Sequence, residues 1–320
     1  MKPVLIIKLG ALGDFVLALA AMKRIRLAHP EAKITLLTTP PYEALAKASG
    51  LVDIIETDGR PKGWRETLAL IRRLRREGYG RVYDLQTSSR SSRYFYGLLP
   101  FAPQWSGIAK FCALPHRNPE RDTMHTLERQ ADQLREAGIW PDAPVTPGSA
   151  PPPDLSFAAQ TPVPLPRDLD RPLALLVPGA SPHRPEKRWP VTQFALLAQS
   201  LIAEGMAVAV LGSALEENDA ARIRQIAPQV LDLTGKTSFL QIAALGTRAA
   251  LAVGNDTGPL HMLAAAGAPT VALFSAASEP AQCAPRGHVT ILQCPDLKDL
   301  ALEPVLRAAL AYPSVPRAPK

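Results

Sequence analysis

The chain has 320 residues, about twice a typical single domain, so two domains of roughly 150 residues are expected. Its composition, 47% hydrophobic and 20% charged, is that of an ordinary soluble globular protein. Three cysteines (Cys112, Cys283, Cys294) with no C-x-x-C pair argue against a disulfide framework or a structural zinc site and fit a reducing, cytoplasmic setting.

The net charge of +7 is unevenly spread: residues 1–160 hold 22 Lys and Arg against 16 Asp and Glu, and residues 161–320 hold 14 against 13. A basic first half suits an anionic partner, whether nucleic acid, an acidic membrane face or a phosphorylated substrate; a merely basic soluble protein is the plainer alternative. Lys2 and the apolar run to Ala21 have the outline of a signal peptide. Lys8 and Asp14 interrupt that run, and either costs about 2.5–3.5 kcal/mol at the centre of an inserted helix. No other stretch is apolar for about 20 residues, so at most peripheral membrane contact is expected.

In chain order, the first half reads as a buried strand at 4–9, its helix at 15–28, and strands at 34–38, 52–57 and 81–86. A helix at 64–77 places Leu68, Ile71 and Leu74 on one face with Arg72, Arg73, Arg75 and Arg76 elsewhere, and a helix near 121–137 closes this half. Prolines then crowd residues 141–170, which reads as an interdomain linker because proline fixes φ and removes backbone donors. The alternation restarts with strands at 173–177, 207–211, 230–233, 249–253, 270–274 and 289–293. Helices at 191–204, 216–227, 239–245 and 260–266 lie among them, and a terminal helix at about 299–311 precedes a Pro-rich tail. This is an α/β chain of two Rossmann-like βαβ domains facing across a cleft, 1–160 and 161–320, with ligands expected at the carboxyl ends of the strands.

Three segments stand at strand-to-helix turns. Lys8-Leu-Gly-Ala-Leu-Gly-Asp14 lacks the G-x-G-x-x-G spacing, and the second strand ends in Thr38-Thr39 rather than an acidic ribose ligand, which disfavours a nicotinamide-type oxidoreductase. Asp14 would repel a phosphate at that helix start; it is either a helix cap or a general base. In the second half, Lys187 and Arg188 precede a helix, either as a solvated basic loop or as a diphosphate contact. Asn255-Asp-Thr-Gly-Pro-Leu-His261 offers Thr257 and Gly258 to phosphate oxygens and Asp256 to sugar hydroxyls, with Pro259 suited to the first helical position. Capping is the plainer role for Asp256 or Thr257, and core packing for His261. Gly235-Lys-Thr237 lacks the leading glycine of a P-loop, and Asp168-Leu-Asp170 lies in the linker, where a solvated turn is the better reading.

Together, Lys8-Leu-Gly-Ala-Leu-Gly-Asp14, Glu186-Lys-Arg-Trp-Pro190 and Asp256-Thr-Gly-Pro-Leu-His261 resemble, in this order and over nearly the whole chain, the heptosyltransferases of glycosyltransferase family 9, which build the lipopolysaccharide inner core. The resemblance implies a GT-B fold, an ADP-heptose donor, inversion at the anomeric carbon, no metal and no cofactor. It makes 161–320 the nucleotide-sugar donor domain and 1–160 the acceptor domain, with an anionic glycolipid acceptor, no nucleic acid, and a cytoplasmic enzyme peripheral to the inner membrane. Position by position, Asp14 resembles the acceptor's base, Lys187 the contact to donor phosphate and sugar, Thr257 and Gly258 the diphosphate cradle, and Asp256 the partner of heptose hydroxyls. Glu216 matches the spacing of the ribose-binding glutamate, and Arg60, Lys62, Arg90 and Arg93 the acceptor-facing rim. Arg188 and His261 join the donor side. Where some members place consecutive hydroxyl residues before the lysine, this chain has Pro182 and His183, with Ser181 just upstream as the donor-side hydroxyl. A sugar-nucleotide epimerase on the same fold and a non-catalytic nucleotide-sugar-binding member are the alternatives.

Overall fold

The computed structural model describes residues 2–315, so the last five residues of the Pro-rich tail lie outside it. The chain divides into two compact units, residues 1–153 and 154–320, the division falling within the Pro-rich stretch. No helix among the described residues is long and apolar enough to cross a membrane.

The first unit runs β1 (Val4–Ile7), α1 (Leu12–Ala28), β2 (Ile34–Leu37), α2 (Glu43–Ser49), β3 (Ile54–Glu56), α3 (Trp64–Glu77), β4 (Arg81–Asp84), α4 (Ser89–Leu98), β5 (Gln104–Gly107), β6 (Leu114–Pro115) and α5 (Thr126–Glu136). Its strands form one parallel sheet in the order β3-β2-β1-β4-β5-β6. Central β1 pairs with β2 on one side and β4 on the other, and all four of its residues are buried, as a strand covered on both faces requires. Leu5, Ile7, Val82, Phe95, Leu98 and Trp105 form the core beneath α3 and α4.

Three departures from the sequence reading have local causes. Helix α1 begins at Leu12 rather than 15, with Ala11 as its N-cap, so Asp14 lies within the first turn and does not cap the helix. The buried stripe of α3 is Leu70 and Leu74, four residues apart; Leu68 is exposed. Helix α4, SRSSRYFYGL, was not foreseen because serines and arginines crowd its first turn. It is started by a capping box in which the Ser88 hydroxyl accepts from the Ser91 amide and the Ser91 hydroxyl from the Ser88 amide.

The second unit runs β7 (Leu173–Val177), α6 (Val191–Ala203), β8 (Ala207–Val210), α7 (Glu217–Ile226), β9 (Leu231–Asp232), α8 (Phe239–Gly246), β10 (Ala249–Asn255), α9 (Gly258–Ala265), β11 (Thr270–Phe274), α10 (Pro280–Cys283), β12 (Val289–Gln293) and α11 (Leu302–Leu310). The sheet order is β12-β11-β10-β7-β8-β9, again all parallel. Each unit thus repeats the doubly wound arrangement in which strand order reverses beside the first strand, between β1 and β4 and between β7 and β10. Loops leaving the carboxyl ends of those strands diverge and leave a crevice, which is where the sequence motifs fall.

Candidate active site

In the second unit the loops after β7 and β10 are fastened together by a residue to which the sequence reading assigned no role. Asn255, fully buried at the end of β10, accepts from the Trp189 amide at 3.0 Å and donates to the Pro178 carbonyl at 2.7 Å. Trp189 is itself buried, packed edge-on against Phe194, with its indole N–H 2.8 Å from the Leu300 carbonyl. Anchored by that ring, the preceding Lys187 emerges at a fixed place.

Its ammonium lies 2.7 Å from Asp256 Oδ2, an oxygen that also accepts from the Ser278 hydroxyl at 2.7 Å. His261 Nε2 stands 3.5 Å from the other oxygen, and the His261 Nδ1 is buried without a partner. Burial pushes the Asp256 carboxyl upward, but hydrogen bonds from His261 and Lys187 and the Lys187 charge outweigh it and hold the pKa at about 2. Asp256 was expected to receive sugar hydroxyls; its Oδ2 is taken by Lys187 and Ser278, which leaves Oδ1, 3.5 Å from His261 Nε2.

Thr257 is the N-cap residue of α9 by backbone position, yet its hydroxyl donates backward to the Asn255 carbonyl at 3.2 Å and leaves the helix without a side-chain cap. Pro259, expected at the first helical position, is the second, after Gly258. The Gly258 and Leu260 amides at the positive end of this helix are therefore left without a capping side chain.

Arg188 and Glu216, both read from the sequence as donor contacts, lie against each other. The Arg188 guanidinium donates to the Ala180 carbonyl at 2.7 Å and lies 3.6 Å from Glu216 and 3.5 Å from Asp219, so its charge is met by two carboxylates rather than held free for a diphosphate. Glu216 Oε2 accepts from the Ser213 amide at 2.8 Å and hydroxyl at 2.7 Å in a capping box, leaving Oε1 toward Arg188. A β-carbon at Gly179 would stand 2.9 Å from the Glu216 carboxyl carbon, so a larger residue there would displace that side chain. Ser181 is exposed on that loop, its carbonyl closing a turn with the Arg184 amide. Ser278 and Asp219 also lay outside the sequence reading; the one available signal was their position just past β11 and near the start of α7.

In the first unit the matching pair of loops is tied by Leu9, whose amide donates to Gln86 Oε1 at 2.8 Å, and by Lys8, whose ammonium donates to the Leu85 carbonyl at 3.3 Å. Lys8 is buried, and burial lowers its pKa against the opposing charges of Asp14 and Asp84. Burial raises Asp84 to about 6, although it accepts from the Gln86 and Thr87 amides. Thr87 sits at φ 44°, a left-handed conformation rare for a β-branched residue, at the end of this loop. Asp14 is half-buried on the first turn of α1, and among the described residues its carboxylate accepts no hydrogen bond. Lys8, Arg129 and Tyr42 all lie within its electrostatic reach.

Arg60, Lys62, Arg90 and Arg93 come together: with Trp64 and Thr67 they line one groove of about 820 Å³ between the β3–α3 loop and α4. Gly59 lets the chain enter it, since a β-carbon there would meet Leu9 at 2.4 Å and the Thr38 carbonyl at 2.5 Å. Tyr42 lies within electrostatic reach of both Arg60 and Asp14. Away from both, His116, Asp132 and Glu136 bring ligand-type atoms within 4.8 Å of one another. Asp132 already receives Asn118 at 2.6 Å and His116 at 3.1 Å and pairs with Arg135, so protein groups meet its charge.

Comparison with known proteins agrees with this reading of the chain. A lipooligosaccharide heptosyltransferase 2 of Haemophilus influenzae is 39% identical over 114 residues, 34% of this chain and 33% of that one. The lipopolysaccharide heptosyltransferase 2 of Salmonella typhimurium is 26% identical over 300 residues, 86% of this chain and 83% of that one. The solved structure of E. coli ADP-heptose lps heptosyltransferase II superposes with a TM-score of 0.79 at 23% identity, covering 97% of this chain and 98% of that one, which establishes the GT-B fold. The pattern of glycosyltransferase family 9 (heptosyltransferase) matches residues 67–294, a span that begins after Asp14, Arg60 and Lys62. Matched over more than two thirds of its length, the chain belongs to glycosyltransferase family 9, the heptosyltransferases.

Proposed function

We propose that the chain transfers a heptosyl group from ADP-heptose to an anionic lipopolysaccharide core acceptor, inverting the anomeric carbon and using no metal ion. The donor is that of the E. coli ADP-heptose lps heptosyltransferase II, and the acceptor class is that of the lipopolysaccharide and lipooligosaccharide heptosyltransferases. The observation that carries the reading is the Lys187–Asp256 pair beside the uncapped start of α9.

A diphosphate leaving group gathers negative charge as its bond to the sugar breaks. Lys187 and the Gly258 amide supply a cation and an oriented donor there, with the Thr257 hydroxyl within the same turn. The acceptor hydroxyl oxygen forms the new bond to the anomeric carbon, its proton passes to Asp14, and the electron pair of the old bond leaves with ADP. Asp14 suits the base because its carboxylate accepts no hydrogen bond from the described residues. In the second unit, Glu216 and Ser181 line the donor side, with Glu216 directed at the ribose by its one oxygen outside the capping box. The residue 1–153 unit is the acceptor domain, and its groove of Arg60, Lys62, Arg90 and Arg93 takes an acceptor bearing carboxylates and phosphates. Such an acceptor places the enzyme in the cytoplasm, peripheral to the inner membrane.

Incubation with ADP-heptose and a heptose-deficient core acceptor tests this by mass spectrometry. The acceptor is expected to gain one heptosyl residue in chelator-treated buffer. Donor turnover without acceptor would mark an epimerase, and binding without any transfer a non-catalytic member.

A further inference from the structure

One surface of the first unit has no part in the chemistry above. Between Asp84 and Glu120 the sequence holds no Asp or Glu; Arg90 and Arg93 there line the groove already described, and Lys110 and Arg117 lie outside it. The same interval carries the two most exposed phenylalanines of the chain, Phe101 at 84% and Phe111 at 83%, together with exposed Tyr96 and Leu99.

The turn after β5 and helix α4 are joined. The Lys110 amide donates to the Tyr96 hydroxyl at 3.0 Å, pinning the turn after β5 against α4, and the Lys110 ammonium lies 5.2 Å from the centre of the Phe111 ring. Arg75 donates to the Gly97 and Leu99 carbonyls where α4 ends, two residues before Phe101. Phe111 also holds φ at 67°, a left-handed conformation that costs a bulky residue about 1–2 kcal/mol. Its ring is in solvent, so packing does not offset that cost; glycine would serve this fold better. Beside it a groove of about 430 Å³ is lined by Lys110, Arg117 and Arg121.

We propose that Tyr96, Leu99, Phe101 and Phe111, with Lys110 and Arg117, form a docking surface for an anionic lipid bilayer, the rings entering the headgroup layer and the cations meeting lipid phosphates. Apolar rings interleaved with cations are the complement of such a surface, and the carboxylates that reach it from outside the interval are engaged, Glu136 by the Arg117 amide and Asp122 by Arg121. The inference deepens the proposed function, on which it rests for the lipid-borne acceptor: it says how the enzyme reaches that acceptor.

The test is co-sedimentation of the full chain, without donor or acceptor, with vesicles of phosphatidylglycerol and phosphatidylethanolamine and with vesicles of phosphatidylcholine. Binding to the anionic vesicles, weakened by salt, is expected. Phe101→Ser and Phe111→Gly should each lower the partition coefficient about tenfold, the worth of one ring withdrawn from an apolar phase. Phe111→Gly should melt no lower than the wild type, which separates lost docking from lost folding. Transfer to a deacylated, water-soluble core acceptor should be unchanged in both variants. Equal partition of the wild type and the double variant, or no vesicle binding by the wild type, overturns the proposal. So does self-association in sedimentation velocity that the double variant abolishes while vesicle binding persists. Failure of the wild type to modify the deacylated acceptor counts against the heptosyl reading instead and leaves the vesicle result standing on its own.

Discussion

Replacing Lys187 with methionine separates two tasks that one ammonium performs. The side chain of Asp256 is only 8% exposed, and its pKa of about 2 lies nearly two units below the ordinary 3.8. At 1.36 kcal/mol per unit the folded protein favours the carboxylate by about 2.5 kcal/mol, a contribution present above pH 4 and lost as pH falls through 2. Lys187→Met leaves that carboxylate with the Ser278 hydroxyl and His261, so stability at pH 7 should fall by about 1–2 kcal/mol. A charge-assisted contact to a diphosphate is worth about 1.5–3 kcal/mol, so the dissociation constant for ADP should rise about 10–100-fold. The double variant Lys187→Met/Asp256→Asn removes the buried charge with its partner. It should recover most of the lost stability and none of the lost affinity. Thermal melts and titration calorimetry with ADP read the two separately. A folded Lys187→Met protein that binds ADP like the wild type would refute the reasoning, as would a double variant that regains affinity.

Three further outcomes are expected. Asp14→Asn should lower the transfer rate at least a hundredfold, within the range for a lost general base, while ADP affinity stays within twofold; a parallel loss of both would assign Asp14 to the donor. Asp84, raised to about 6 by burial, contributes stability that is whole below pH 4 and lost as pH rises through 6. Asp84→Asn keeps an acceptor for the Gln86 and Thr87 amides, so its stability relative to the wild type should climb by about 3 kcal/mol between pH 4 and pH 8, and a flat difference would exclude this cause. Arg60→Glu with Arg90→Glu should raise the KM for a phosphorylated core acceptor more than tenfold and leave kcat and ADP affinity nearly unchanged; an effect on ADP binding instead would remove the groove from the acceptor's path.

The parts of the fold that were legible are those whose signal is local. Apolar runs such as 173–177 and 270–274 are strands because both faces of a parallel sheet are covered, and the motifs were placed correctly at strand ends by the same alternation. Helix α4 was not legible, since its capping box is built from two serines and its buried residues Tyr94, Phe95 and Leu98 follow a polar start. Within the site, residue type announced a cation at 187 and a carboxylate at 256. It did not announce that they bind each other, nor that Arg188 turns back to Glu216 and Asp219, because both pairings join loops from different strands. Asn255 shows the same limit: nothing in an asparagine beside Asp256 says that it fastens the Trp189 loop 66 residues away.

The two units share one strand order, so the different chemistry proposed for them must come from what stands at each crevice. In the first, the helix after β1 carries Asp14 in its first turn, and a carboxylate at the positive end of a helix takes the place a phosphate would want. That crevice cannot hold a diphosphate at the same point, and it is free to hold a base. In the second, the helix after β10 starts with Gly258, no side chain caps it, and the nearest carboxylate is neutralised by Lys187. The amides at that helix start face no capping side chain, and Asp256 beside them is held by Lys187. In the proposed reaction one topology used twice, with a carboxylate at one helix start and none at the other, divides acid–base work from leaving-group stabilisation; Gly258→Asp should therefore abolish ADP binding in titration calorimetry without creating a second base.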